Sequence, residues 1–428
     1  MKETLRALRL LRSLRRARSR AEIEALQRRR LDAALQAAWS DVPFYQRVWA
    51  RHGVDLDRGS RPARVEDLPV IESSEVRDAI RSRELLSRAV DPADCRPFST
   101  TGSSGEALTT LRSAPETRLW RATALRFRLE HGARWRQKAL QLHRRPHRPH
   151  LLQRLGVWRS IWVRPELEPD EQAARVLAGA PASVIGTPTV VRRLAHAVEA
   201  IGRRPESLDS VFCVGECIDP GTVALIARVF GVPPVFLYGM TEVGYVAWQC
   251  ERRAGFHVNA DVFRVELLAD GRPARPGELG RIVVTDLYGR TMPLIRCDTG
   301  DLAVAARGDC GCGRELPLLA SIEGRATSTL EAADGTWVTA RQVAAGLFEV
   351  AGVDDYRLHQ GASGRIELTL RDDGQGRGAS PSRRSEIRTR LRRMLGGRTI
   401  TDRYGDPHSD ARRIKTHAVW RDAGVLPA

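Results

Sequence analysis

A loop within residues 97 to 116, PFSTTGSSGEALTTLRSAPE, concentrates hydroxyl side chains around two glycines. Glycines let a backbone curl around an anion, and hydroxyls with freed amides donate hydrogen bonds to phosphate oxygens. The familiar phosphate-binding loop continues from its last glycine to Lys and then Ser or Thr, whereas Glu106 follows Gly105 here. An ordinary surface turn is the alternative interpretation. The loop is therefore a candidate anion site whose role depends on residues elsewhere.

Four residues have the types and spacing of a metal site. Cys250 and His257 lie in CERRAGFH, and Cys310 and Cys312 lie in DCGCGRELP. Zinc favours tetrahedral sets of thiolate and imidazole, so a site of three cysteines and one histidine would join these two loops. The C-x-C spacing is tighter than the usual C-x2-C, and ordinary reduced cysteines are the alternative. The sequence predicts a structural Zn²⁺ site with that alternative open.

The chain is strongly basic, with a formal net charge of +17 over 428 residues. All but three of the 69 basic residues are arginine, and they are spread along the whole chain. Such a charge would suit a polyanion partner, but its spread is typical of a coding bias, so nucleic acid is not the expected partner. No apolar run approaches the ~20 residues that a membrane span requires, and the N-terminus lacks the apolar core of a secretory signal. We therefore expect a cytoplasmic protein.

Arginines are dense in residues 1 to 30, where Leu5, Leu8, Leu11 and Leu14 recur at helical spacing. This spacing predicts an amphipathic surface helix. A nucleic-acid-binding or acidic-membrane-binding arm is the alternative.

The elements that must position the candidate residues can be read from local signals. A capping box of Ser113 and Glu116 opens a long helix, and Asp219 with Pro220 begins another. Between residues 180 and 240, short apolar strands alternate with helices, which predicts a parallel sheet covered by helices. Beyond residue 261 strands follow one another, and residues 270 and 271, Asp-Gly, form a hairpin turn.

Five further motifs follow in order along the chain. They are CVGECIDP (213–220), FLYGMTEVGYVAWQC (236–250), PGELGRIVVTD (276–286), PLIRCDTGDL (293–302) and IEGRATSTL (322–330). The ordered series resembles the adenylate-forming (AMP-binding) ligases, in the branch of phenylacetate-CoA ligase and its capsule-polysaccharide-type relatives. The resemblance implies an α/β fold, with a large multi-sheet domain over residues 1–325 and a small mobile α+β domain over residues 326–428. The large domain would begin with a helical segment over residues 1–60.

The resemblance also implies a nucleotide site for ATP. The loop would cradle the β- and γ-phosphates of ATP through Thr101, Ser103, Ser104 and Gly105. Gly215, Glu216 and Cys217 would lie along adenine, Tyr238 beside Gly239 would stack on it, and Arg325 would lie near the ribose and phosphate. Thr241 would reach the α-phosphate, Glu242 would hold Mg²⁺, and Asp301 would accept both ribose hydroxyls, because one carboxylate can take two donors.

A mobile lysine would complete this site. Negative charge develops on an already anionic phosphate during adenylation, so a compact cation on a flexible stem is required. Lys415 is the only lysine in the second half of the chain, although Ile414 replaces the glycine that precedes the lysine of the family. A solvated lysine is the alternative interpretation.

The resemblance implies ATP-dependent, AMP-forming ligation of a small-molecule carboxylic acid, and it favours an aromatic acid over a long-chain aliphatic one. The acceptor is coenzyme A or an amine, because residues 326 to 329 lack the acidic hinge residues of the family, and Cys297 and Asp298 replace its tyrosine and arginine. An arginine-rich polyanion-binding protein on a degenerate ligase scaffold is the rival hypothesis. The oligomeric state stays open, with a homodimer as one alternative.

Overall fold

The structure is a computed structural model that describes residues 2–16, 18–54, 64–99, 108–143, 149, 151–217, 219–348, 356–371, 381–405 and 419–422. The chain divides into two compact units. Unit 1 comprises Met1–Trp135 and Val235–Ser321, and unit 2 comprises Arg136–Pro234 and Ile322–Ala428.

The helices in the described part of the chain are α1 (Lys2–Arg15), α2 (Arg20–Asp41), α3 (Pro43–Arg51), α4 (Ser73–Arg81), α5 (Ala114–Glu130), α6 (Leu151–Arg154), α7 (Pro169–Gly179), α8 (Pro188–Ile201), α9 (Pro220–Phe230), α10 (Ala340–Phe348) and α11 (Pro381–Met394). The strands are β1 (Arg96–Ser99), β2 (Thr109–Arg112), β3 (Ala139–Leu142), β4 (Ser160–Val163), β5 (Ser183–Gly186), β6 (Ser210–Val214), β7 (Val235–Met240), β8 (Gly244–Gln249), β9 (Phe256–Val258), β10 (Phe263–Ala269), β11 (Arg272–Pro273), β12 (Leu279–Asp286), β13 (Cys297–Ala305), β14 (Leu318–Arg325), β15 (Thr329–Glu331), β16 (Trp337–Thr339), β17 (Tyr356–Gln360), β18 (Ile366–Arg371), β19 (Ile400–Gly405) and β20 (Val419–Arg421).

Unit 1 contains a sheet of mostly antiparallel pairs in the order β11-β10-β12-β13-β14-β9-β8-β7. Asp270 and Gly271 both have positive φ, and the two flanking residues pair, which confirms the predicted hairpin turn. A core of α2, α3 and α4 side chains packs beside Leu294 and Ile295. Tyr45 is fully buried there, and its hydroxyl donates to the Pro293 carbonyl at 2.8 Å. This contact ties the N-terminal helices to the segment that precedes β13.

The first helix has the predicted amphipathic character. Leu11 and Leu14 are buried and α1 packs against α5, whereas Leu8 is 39% exposed. In the described part of the chain, no helix is both long and apolar enough to span a membrane.

Unit 2 contains four parallel strands in the order β6-β5-β3-β4, flanked by α7, α8 and α9. This arrangement confirms the helix-covered parallel sheet predicted from the alternating apolar pattern. The Asp219 carboxylate caps α9 by accepting from the Thr222 amide at 2.8 Å, and Pro220 occupies the first turn. The C-terminal part of unit 2 is a four-stranded sheet, β19-β18-β17-β20, whose buried side chains pack with α10 and α11.

Candidate active site and metal centre

The Thr-Glu motif lies in the turn between β7 and β8 of unit 1. Met240 pairs with Gly244 across this hairpin, so residues 241 to 243 form its turn. A bulge between Tyr238 and Gly239 shifts the register immediately before the turn. Two candidate residues, Thr241 and Glu242, are therefore held at the end of a paired strand.

Tyr238 and Asp301, which are 63 residues apart, meet through a hydrogen bond. The Tyr238 hydroxyl donates to Asp301 Oδ2 at 2.9 Å and lies 3.2 Å from Thr299 Oγ1. The Asp301 backbone amide donates to the same threonine oxygen at 3.1 Å. The Tyr238 ring is 7% exposed. Tyr238 thus orients the Asp301 carboxylate, a role that the sequence did not predict. The predicted stacking of Tyr238 on adenine stays a prediction.

Glu242 lines a small cavity of unit 1 whose walls contain both polar and apolar side chains. The polar residues there are Arg112, Glu116, Thr123, Glu242, Asp286 and Tyr288, and the apolar ones include Trp120, Val262, Phe263 and Met292. Sequence reasoning missed Arg112 and Asp286, and it assigned Glu116 only as a helix cap. The available signal was weak: a charged residue ends each of the strands β2 and β12.

Glu116 has two roles. It closes the predicted capping box with Ser113, whose amide and hydroxyl both donate to Glu116 Oε2 at 2.7 Å. Its other oxygen accepts from the amides of Arg290 and Thr291 at 2.7 and 2.9 Å. Burial alone would raise the pKa of Glu116, but these hydrogen bonds outweigh burial and lower it. Glu116 is therefore an ionised anchor for the loop after β12.

At Asp286 and Arg112, unlike at Glu116, burial is the larger effect and shifts each pKa toward the neutral form. Burial raises the pKa of Asp286 to about 6, although the amides of Tyr288 and Gly289 partly oppose the shift. Burial lowers the pKa of Arg112 to about 10, and the carboxyl groups of Asp286, Glu116 and Glu242 oppose that shift. Arg112 thus stays charged at neutral pH among several acidic groups.

The segment predicted to lie along adenine, Gly215 to Cys217, is in unit 2, directly after β6. Gly215 has φ +87°, a conformation that favours glycine, so the chain turns sharply there. Glu216 Oε2 accepts from the Thr189 amide at 3.0 Å and from its hydroxyl at 2.7 Å, which fixes the loop to the start of α8. A Cβ atom on Gly324 would lie 4.0 Å from the Cys217 Cβ atom. The structure therefore brings the segment that ends at Arg325 close to this loop.

The remaining nucleotide-site predictions fall outside the described residues. Thr101, Ser103, Ser104 and Gly105 of the loop, and Lys415 near the C-terminus, are in this group. Their roles stay predictions.

The four metal-site candidates come together in unit 1. Their ligand atoms all lie within 4.8 Å of one another. Cys250 Sγ is 3.4 Å from Cys310 Sγ, and Cys312 Sγ is 3.3 Å from His257 Nε2. A tetrahedral ion with Zn–S bonds of about 2.3 Å needs sulfur atoms roughly 3.8 Å apart, so the cluster fits Zn²⁺.

The pairing of strands β8, β9 and β14 brings the four residues together. Cys250 follows β8, His257 lies in β9, and these strands pair with each other. Cys310 and Cys312 lie between β13 and β14, and Leu318 of β14 pairs with His257. Gly311, at φ +70°, turns the backbone between the two cysteines so that both thiols can point inward.

The chain is similar in sequence to a known ligase. No protein-family model matches the chain. A phenylacetate-coenzyme A ligase from Thermus thermophilus is 27% identical over 328 residues, which is 73% of this chain and 72% of that protein.

Several solved structures share the fold. A 2-hydroxyisobutyryl-CoA ligase in the postadenylation state, in complex with 2-HIB-AMP, has a TM-score of 0.78 at 20% identity and covers 95% of this chain and 91% of its own. An anthranilate CoA ligase in complex with anthranoyl-AMP has a TM-score of 0.57 at 12% identity, covering 78% of this chain and 67% of its own. An amide bond synthetase from Marinactinospora thermotolerans has a TM-score of 0.54 at 17% identity, covering 77% and 68%. The predicted fold class and the resemblance stated above are confirmed.

Proposed function

We propose that this chain, a member of the adenylate-forming ligase superfamily, is an ATP-dependent, AMP-forming carboxylate ligase. The observation that carries the proposal is the 2.9 Å hydrogen bond from Tyr238 to Asp301, on the strand that leads into the Thr241-Glu242 turn. A carboxylate oriented by a buried phenol suits a ribose diol, and Glu242 follows four residues later. Sequence similarity to a phenylacetate-coenzyme A ligase supports the same assignment.

The proposed first half-reaction joins the acid to the α-phosphate of ATP. A carboxylate oxygen of the acid forms a bond to the α-phosphorus, the bond from that phosphorus to the bridging oxygen breaks, and pyrophosphate leaves. The Thr241 hydroxyl donates to the α-phosphate, and Asp301 holds the ribose. Glu242 is the residue that would hold Mg²⁺, and its carboxylate beside the acidic cavity suits an oxygen-binding cation that neutralises phosphate charge.

The second half-reaction passes the acyl group to coenzyme A or to an amine. The nucleophile attacks the acyl carbon, the acyl–phosphate bond breaks, and AMP leaves. The relatives include both CoA ligases and an amide bond synthetase, so both acceptor classes stay in the proposal. Residues 326 to 328 form a single 3-10 turn after β14, where the predicted small domain begins.

An acid screen tests the proposed activity. Purified protein, ATP, Mg²⁺ and hydroxylamine are incubated with a panel of aromatic and short aliphatic acids, because hydroxylamine traps activated acyl groups whatever the natural acceptor. We expect hydroxamate from at least one aromatic acid, dependent on ATP. Absence of hydroxamate across the panel, together with nucleic-acid binding that weakens steeply with salt, would favour the polyanion-binding rival.

Replacing Tyr238 with phenylalanine is expected to weaken ATP binding. The change removes the hydroxyl that orients Asp301 and retains the ring. A hydrogen bond to a charged group contributes about 1.5–3 kcal/mol, so we expect KM for ATP to rise roughly tenfold or more. KM for the acid should change little. A Tyr238→Phe enzyme with unchanged KM for ATP would contradict the role given to this pair.

We also propose that Cys250, His257, Cys310 and Cys312 bind a structural Zn²⁺. The donor set and the 4.8 Å spread of the ligand atoms support this, and the ion would join the β8–β9 hairpin to the turn before β14. A cluster of reduced thiols also supports a cytoplasmic location, which we propose on that basis.

Replacing Cys310 with serine is expected to remove the metal. Elemental analysis of wild-type protein should find one zinc per chain, and Cys310→Ser should fall well below that content, with a melting temperature lower by several degrees. Cys95→Ser is the matched control, because Cys95 is also partly exposed but lies outside the cluster. Full zinc content in Cys310→Ser would refute the ligand set.

A further inference from the structure

Arg112 is a buried cation whose contacts reach the turn that carries Thr241 and Glu242. Its side chain is 5% exposed and lines the cavity that contains Glu242. One guanidinium nitrogen, Nη2, donates to the backbone carbonyl of Thr241. The other terminal nitrogen, Nη1, is buried without a hydrogen-bond partner among the described residues. Arg112 therefore meets the turn through the backbone of the predicted phosphate-binding residue itself.

Two aromatic rings hold the guanidinium in place. Its central carbon lies 4.2 Å from the ring centroid of Phe98 and 5.6 Å from that of Trp120. The two rings also contact each other, with centroids 5.6 Å apart. A guanidinium over an aromatic face is attracted by the ring quadrupole, most strongly when both are desolvated. The Arg112 side chain is thus fixed before any ligand binds.

Trp120 also reaches the far end of the turn. A Cβ atom on Gly244 would collide with the Trp120 indole, and Gly244 has φ +99°, a conformation that favours glycine. The Trp120 ring also stacks near Tyr245, with centroids 6.5 Å apart. Arg112 holds the start of the turn at Thr241, and Trp120 packs against its end at Gly244.

Arg112 also balances the charge of the cavity. Of the described residues that line it, Arg112 is the only basic one, while Glu116, Glu242 and Asp286 are acidic. Neighbouring carboxylates in a buried site repel one another unless a cation lies between them. Loss of Arg112 would therefore disturb both the position of the turn and the charge beside Glu242.

Another buried arginine, Arg126 in α5, has different hydrogen-bond partners. It donates directly to Asp261 at 2.8 Å and to Asn259 at 3.0 Å, so its charge is paired with a carboxylate. The hydrogen bond of Arg112 goes instead to the carbonyl of Thr241. We infer that Arg112 is a positioning residue for adenylation, which fixes the direction in which Thr241 and Glu242 face the nucleotide. This inference rests on the proposed ligase function.

Kinetics of two variants test the inference. In acid-dependent exchange of labelled pyrophosphate into ATP, Arg112→Met should lower kcat about 10²-fold, because small misplacements of catalytic groups cost that much. KM for ATP should stay within about threefold, since the Tyr238–Asp301 pair is untouched. Arg112→Lys keeps the charge but not the planar fork, so it should lose about tenfold in kcat.

Arg128→Met is the matched control, because Arg128 is a similarly buried arginine, 6% exposed, that does not line the cavity. It should keep kcat whatever its melting temperature. Folded Arg112→Met with wild-type kcat, or an equal loss in Arg128→Met, overturns the inference. If Arg112→Met does not fold, Arg112→Lys decides: wild-type kcat overturns the inference. Wild-type protein without exchange on any acid overturns the proposed function, and the inference falls with it.

Discussion

Replacing Glu242 with glutamine should lower acid-dependent pyrophosphate exchange by about 10²–10³-fold. The amide keeps the shape of the side chain but loses the charge that would hold Mg²⁺ against the phosphates. The turn itself should survive, because the contacts of Arg112 with Thr241 and of Trp120 with Gly244 do not involve the Glu242 side chain. Initial exchange rates over a range of Mg²⁺ concentrations measure the effect.

Glu278, directly before β12, provides a matched control. It forms a half-buried ion pair with Arg272 at 2.7 Å, does not line the cavity, and Glu278→Gln should exchange at the wild-type rate. If Glu242→Gln exchanges as fast as Glu278→Gln, then Glu242 has no part in adenylation and the proposed metal role is wrong.

Replacing Lys415 with alanine should also reduce adenylation by orders of magnitude, about 10²-fold or more. A compact ammonium on a flexible stem can approach the phosphate as negative charge develops there, and alanine removes it. The residues proposed to hold Mg²⁺ and the ribose, Glu242 and Asp301, are unchanged, so binding of ATP should be weakened much less than kcat. Single-turnover formation of the acyl-adenylate, followed by quenching and chromatography, measures the rate.

Lys138→Ala is the control for loss of a lysine. Lys138 lies just before β3, where its carbonyl accepts from the Ala182 amide, and its side chain has no role in the proposed chemistry. Near-normal adenylation by Lys415→Ala would remove Lys415 from the mechanism and leave the identity of the mobile cation open.

The parts of the fold that depend on neighbours in sequence were predictable. The capping box of Ser113 with Glu116, the Asp219 cap and the Asp270-Gly271 turn are each set by contacts within a few residues, and the structure confirms all three. The proximity of Cys250, His257, Cys310 and Cys312 was predictable for a different reason. Cysteine and histidine are rare enough in this chain that their grouping in two short segments was informative even across sixty residues.

The contacts that complete the candidate active site were not predictable. Tyr238 meets Asp301 only because β7 and β13 belong to one sheet, and neither residue carries a local signal for the other. Arg112 and Asp286 are single charged residues at the ends of β2 and β12, and an isolated charge in a sequence is usually a solvated one. Their partners come from elements far along the chain, so only the folded structure identifies them.

The proposed reaction of this chain is the activation of a carboxylic acid as its adenylate. Exchange of labelled pyrophosphate into ATP, measured with and without each acid of an aromatic panel, tests it most directly because the assay requires reversal of adenylation and no acceptor. We expect exchange that depends on the acid, requires Mg²⁺ and is lost in Glu242→Gln. Exchange that is absent with every acid, or that proceeds equally without any acid, would contradict it.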